Sequence, residues 1–168
     1  MTSLALSSID LIPRVSDRSS SDSAPEFSPL VVGALYPGIA RGLKADLLAS
    51  QSLGGTAFPA CTSHVVAGDG VVTDVLNVPT DTVSAQLEHI RNTQTPTAVK
   101  VGIVGATPTV DVLFRHLKEL TIPILFDITL SGPSGEDILD QRGLDSILEH
   151  IEQPDLITVR LTDAKLLA

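Results

Sequence analysis

Apolar and polar positions fall in short blocks along this chain, and the blocks switch period. Residues 29–33 (P-L-V-V-G) form a brief apolar run that reads as a buried strand, with 34–40 as its loop. Ile39, Leu43 and Leu47 then recur every four residues, the stripe of an amphipathic helix. Gly54 and Gly55 supply its stop. Residues 56–62 read as a second strand, and 65–78 alternate around Gly68-Asp69-Gly70, the pattern of a hairpin or flap.

The helical period returns after Thr80, a capping residue for a helix from 81 to about 92 with Val83, Leu87 and Ile90 inward. A strand at 98–104 is followed by a helix at 109–120 that turns Val110, Leu113, Leu117 and Leu120 to the core. A strand at 122–126, a helix at about 141–151 carrying Leu144, Ile147, Leu148 and Ile151, a last strand at 156–159 and a turn opened by Thr162 complete the series. Strands alternating with helices predict an α/β domain: a three-layer parallel sheet with helices on both faces and right-handed crossovers. The domain runs from 29 to 168. Residues 1–28, rich in Ser, Asp and Pro, are expected to form a disordered or loosely docked tail, although Leu4, Leu6, Ile9, Leu11 and Ile12 give it an apolar patch.

Composition sharpens this picture. The 168 residues suffice for one domain. An apolar fraction of 43% with only 3% aromatic residues suits aliphatic strands buried under helices on both sides. A net charge of -9 with no basic stripe argues against a nucleic-acid surface. One cysteine, Cys61, excludes an intrachain disulfide and fits a reducing compartment. No apolar run is long enough to span a bilayer, and the N-terminus lacks a basic start, so no membrane partner is expected and cytoplasm is the expected location.

In an open parallel sheet, ligands sit in the crevice beyond the carboxyl ends of the strands. Asp127 ends the strand at 122–126, where it either steers a metal or phosphate or caps the following loop. The loop Ser131-Gly132-Pro133-Ser134-Gly135 offers backbone amides to an anion, less one donor at Pro133, or is a plain connection. Lys100, inside an apolar strand, reaches a sheet margin or pairs with a carboxylate. Asp46 reads as a packing or capping residue, Cys61 as buried filler, and His89 and His116 as solvated, with no metal-ligand spacing between them.

Six segments, G-L-K-A-D-L at 42–47, A-C-T-S-H at 60–64, V-P-T-D-T-V-S-A-Q-L at 78–87, V-K-V-G-I-V at 99–104, S-G-E-D-I-L at 134–139 and L-I-T at 156–158, carry a resemblance. In this order and spacing, from about residue 31 to the end, the chain resembles the hydroxymethylpyrimidine (phosphate) kinases of thiamine biosynthesis, whose ribokinase-like fold is shared with pyridoxal kinases. The resemblance implies ATP and magnesium as cofactors and a small heterocycle or its phosphate as substrate. It implies a pocket lined by Tyr36, His64, Ile103, Asp127 and Thr129, the last through its backbone. His64 falls where the family has a glutamine that reads the pyrimidine ring, so its imidazole is expected to bond a ring nitrogen or amino group. Arg160 and Asp163 fall in the family's T-P-N-x-x-E motif, tied to the magnesium and phosphate region.

Departures cluster at the same places. The family's first loop, roughly G-S-D-P-S-G-G-A-G, is here A-L-Y-P-G-I-A-R-G, with Tyr36 in place of the aspartate and Ile39 and Arg41 in place of small residues. Pro133 stands where a lysine is usual, and Arg160 where an asparagine is, giving a cation that binds phosphate bidentately or pairs with Asp127 or Asp163. The family's G-T-G-C or G-x-G-D loop and most of its nucleotide pocket lie beyond the last residue here. Phosphoryl transfer depends on such donors, so the chain alone is expected to be a heterocycle binder and a poor kinase or none. The alternatives are an active kinase of a pyrimidine or pyridoxal-like alcohol completed by another chain or a homodimer, and a non-catalytic interaction module that pairs through an exposed sheet edge.

Overall fold

The computed structural model describes residues 27–68, 71–132, 135, 137–165 and 167. The expectation for the tail, through residue 26, and those for Pro133 and Ser134 lie outside the described residues. The elements run β1 (Pro29–Leu35), α1 (Leu43–Ser52), β2 (Phe58–Gly68), β3 (Val71–Asn77), α2 (Thr80–Thr93) and β4 (Ala98–Val101). They continue with α3 (Thr107–Leu117), β5 (Ile124–Ile128), α4 (Gln141–Glu149), β6 (Leu156–Val159) and the short α5 (Leu161–Ala164).

The strands form one six-stranded sheet in the order β3-β2-β1-β4-β5-β6. Pairing is parallel from β2 to β6, and β3 runs antiparallel to β2 at the edge. This antiparallel edge is the hairpin expected over 65–78. Two residues separate β2 from β3, and a parallel return needs a dozen or so, so the 65–78 alternation becomes a hairpin that lengthens the sheet.

The main core lies between one face of the sheet and three helices. Val83, Leu87 and Ile90 of α2, Val110, Leu113, Phe114 and Leu117 of α3, and Ile147 of α4 cover Leu30, Val32, Val99, Val101, Ile124, Phe126 and Ile128. Phe114 meets Phe126 edge-on with ring centroids 5.6 Å apart. Helix α1 packs on β1 and β2 from the other face, which completes the expected three-layer arrangement. Among the described residues no helix is long and apolar enough to cross a membrane.

Local differences from the sequence pattern have local causes. Ile39 is 36% exposed and lies outside α1. The chain must first pass Gly42, whose φ of 53° is incompatible with a right-handed helix. Helix α3 starts at Thr107 because Pro108 suits the first helical turn. Strand β4 ends at Val101, although the Gly102 N–H still donates to the Val32 carbonyl at 2.8 Å. His116 is not solvated as expected: it is half-buried, bonded through Nε2 to Ser84 Oγ at 2.9 Å, and burial is the main influence pushing its pKa down.

Candidate functional site

Beyond the carboxyl ends of β1, β4, β5 and β6 lies a cavity of about 390 Å3. One wall comes from the loop after β1. Tyr36 is 5% exposed there, in a small apolar cluster with Ala34 and Val65, against which Ile103 packs. The loop folds back so tightly that a Cβ on Gly42 would stand 2.2 Å from the Ala34 carbonyl oxygen and 3.1 Å from the Tyr36 ring. Thr62, fully buried on β2, donates through Oγ1 to the Ile103 carbonyl at 2.7 Å and fixes that wall. Sequence reasoning passed over Thr62, although it stands inside the A-C-T-S-H segment.

The floor is ionic. Lys100 rises from β4 on the α1 side of the sheet, with Nζ 3.0 Å from Asp46 Oδ2 and 3.8 Å from Asp127 Oδ2. Of the two readings of Lys100, pairing with a carboxylate is the one found. Asp46, read as a packing or capping residue, instead ties α1 to the middle of the sheet through this ion pair. Asp127 is half-exposed and accepts a hydrogen bond from Thr158 Oγ1 at 2.9 Å, and among the described residues from no backbone N–H of the loop it precedes.

The far rim is set by Asp163. Its carboxylate, 0% exposed, accepts from the Leu130 N–H at 3.2 Å, Ser131 Oγ at 2.7 Å, and Arg160 Nε and Nη2 at 3.0 and 2.7 Å. Burial is the largest influence and raises its pKa, but the bonds from Ser131, Arg160 and Leu130 together outweigh it and hold the group below the usual carboxylate range. Arg160 also donates from Nη2 to the Ser131 carbonyl and hydroxyl. It is thereby fixed at the cavity edge with Nη1 unengaged among the described residues.

Of the residues singled out by sequence, Tyr36, Ile103, Asp127, Thr129 and Arg160 converge on this cavity, joined by Arg41, Asp46 and Lys100. Asp163 sits behind its wall. His64 does not line it. It is exposed on the part of β2 that extends into the hairpin, between Leu35 and Leu76 in register. Cys61, expected as buried filler, is half-buried; it donates its thiol to the Ser63 carbonyl, and burial, the largest influence, pushes that thiol's pKa up, which disfavours the thiolate. A second cavity of about 210 Å3 lies at the opposite end, where Leu87, Ile90, Leu117 and Leu120 are joined on the lining by Gln94, His116 and the Arg91–Glu119 pair.

The described residues form no all-protein cage for a magnesium ion. Such an ion ordinarily relies on one or two carboxylates with waters and substrate phosphates, so Asp127 is the side chain that would hold one. Both Asp163 oxygens are engaged, and the ammonium of Lys100 already stands between Asp46 and Asp127. Among the described residues no three His, Cys, Asp or Glu side chains are grouped to hold a metal.

Residues 37–168 match the phosphomethylpyrimidine kinase family. The chain is 30% identical over 130 residues to the hydroxymethylpyrimidine/phosphomethylpyrimidine kinase of Mycobacterium tuberculosis, a match that covers 75% of this chain and 47% of that protein. It is 28% identical over 139 residues to the thiamine biosynthesis multifunctional protein ThiED of Corynebacterium efficiens, covering 82% of this chain and 19% of the relative. The crystal structure of phosphomethylpyrimidine kinase from Clostridium difficile superposes with a TM-score of 0.77 at 18% identity, covering 85% of this chain and 63% of that one. An ADP complex of Bacillus subtilis pyridoxal kinase gives 0.73 at 21%, covering 84% and 54%. The chain thus spans about half the length of the curated kinases it matches. The matched segment and the shared architecture agree, and this chain belongs to the phosphomethylpyrimidine kinase family of thiamine biosynthesis.

Proposed function

We propose that this chain binds a small heterocyclic alcohol of the hydroxymethylpyrimidine type, or its phosphate, in the cavity at the carboxyl edge of the sheet. The observation that carries this reading is the convergence of an apolar wall, an ionic floor and a fixed arginine on one cavity. Tyr36 and Ile103 pack against the ring, Thr129 offers backbone groups beside it, and Asp127 faces its polar edge. Arg160, held by Asp163, and Arg41 take a phosphate if one is present. His64 is left out of this set because it stands outside the cavity.

Phosphoryl transfer from ATP, the donor the family implies, requires preorganised donors around the moving group. The cavity's charged groups are mostly committed to one another, so these residues serve binding more than turnover. We assign this binding to the cytoplasm. Calorimetric titration with 4-amino-5-hydroxymethyl-2-methylpyrimidine, with MgATP present, tests the reading. A saturable heat is expected, with affinity weakened roughly three- to tenfold in Tyr36→Leu, which keeps the packing and loses the aromatic face. No heat would remove the small-molecule reading. A steady heat of turnover would favour a working kinase over a binder.

A further inference from the structure

The resemblance gives ring recognition to the position of His64, and that side chain stands outside the cavity. Some other group must then tell one heterocycle from another. The acceptors that line the cavity are not equally free. Lys100 Nζ lies within hydrogen-bond distance of Asp46 Oδ2, at 3.0 Å, and beyond it from Asp127 Oδ2, at 3.8 Å. Asp127 Oδ1 is engaged by Thr158 Oγ1. Asp127 Oδ2 therefore receives no hydrogen bond from any described residue, although its carboxylate lines the cavity together with Tyr36 and Ile103.

An ionised carboxylate only accepts. A ring that turns an N–H toward it gains a charge-assisted bond, and a ring that turns a carbonyl toward it is repelled. We propose that Asp127 is the residue that reads the ring, selecting heterocycles that present an N–H edge, such as an exocyclic amino group on a pyrimidine, to the end of β5. This inference rests on the reading of the cavity as a heterocycle site. Lys100 contributes by position, since the ammonium taken up by Asp46 leaves the outer carboxylate accessible to a ligand.

The test is a set of titrations with 4-amino-5-hydroxymethyl-2-methylpyrimidine, the same ring without its amino group, and its 4-oxo counterpart. Wild-type protein is expected to favour the amino ring over the bare ring by about tenfold or more, the range of a hydrogen bond to a charged group. Asp127→Asn, which turns either an oxygen or an amide N–H to the ligand, should lose most of that preference and bind the 4-oxo ring better than wild type does. Asp127→Ala, with no acceptor, should lose the preference without that gain. Equal wild-type affinity for the amino and bare rings would overturn the assignment while leaving the cavity as the binding site. So would a preference that survives in both folded variants. If none of the three rings binds, the assignment and the heterocycle reading fall together.

Discussion

Asp163 shows how a motif position can serve the site without facing it. Its folded pKa lies below the ordinary aspartate value of about 3.9. A carboxyl with a depressed folded pKa stabilises the fold fully above its unfolded value, and that contribution is lost as pH falls through the folded one. Asp163→Asn is therefore expected to cost about 1.5–3 kcal/mol at neutral pH, the range for hydrogen bonds to a charged group. The gap from wild type should close below about pH 4, as the carboxyl protonates. Urea titrations across pH would show it, and a gap that stays constant down to pH 2 would contradict this role. At this scale the sequence was informative about strand ends and about the near pair Arg160–Asp163, three positions apart, but did not name the partner of Lys100. Asp127 is legible as the end of an apolar strand, whereas Tyr36, Ile103, Thr129 and Arg160 are legible only through the family resemblance. The Lys100–Asp46 pair spans 54 positions, and no local pattern announces it.

Elements place these residues, and one turn places α1. Gly42 precedes Leu43 with φ 53° and ψ -137°, in close contact with the Ala34 carbonyl. Adding a Cβ there collides with backbone, and the conformation alone costs about 1–3 kcal/mol for a side-chain-bearing residue. Gly42→Ala should lower stability by at least that much. Because α1 carries Asp46, the same change should weaken pyrimidine binding, measured by melting and titration on one preparation. Unchanged stability would mean the turn is adaptable. The glycine itself was visible in the sequence, but its role was not, since the four-residue recurrence of Ile39, Leu43 and Leu47 carried the helix through it. His64 was misplaced for a related reason. Strand β2 was expected to stop at 62 and instead runs on to Gly68, so a residue counted at the rim belongs to the hairpin.

Across the whole molecule, stability is expected to fall from the middle of the sheet to its edges. Strand β1 has parallel neighbours on both sides, β2 and β4, and is buried through its first six residues. Strand β3 has one partner, no fully buried residue, and exposes Val71 and Leu76 at 48% and 67%. The alternation of strands and helices predicted parallel strands, though not their order. The hairpin edge was announced by the alternation around Gly68-Asp69-Gly70, and the shortness of that connection makes it antiparallel. Local openings draw on regions with few buried apolar contacts and exposed backbone hydrogen bonds. Hydrogen exchange should therefore find β1 and β4 amides opening only with global unfolding, and β3 amides opening well below that free energy. The cavity depends on the slow group, because Lys100 lies on β4 and the chain reaches Tyr36 directly from β1. Saturating ligand should then raise protection at β1 and β4 in step with global stability and leave β3 nearly unchanged. Protection that rises at β3 alone would instead move the binding surface to the hairpin, where His64 stands.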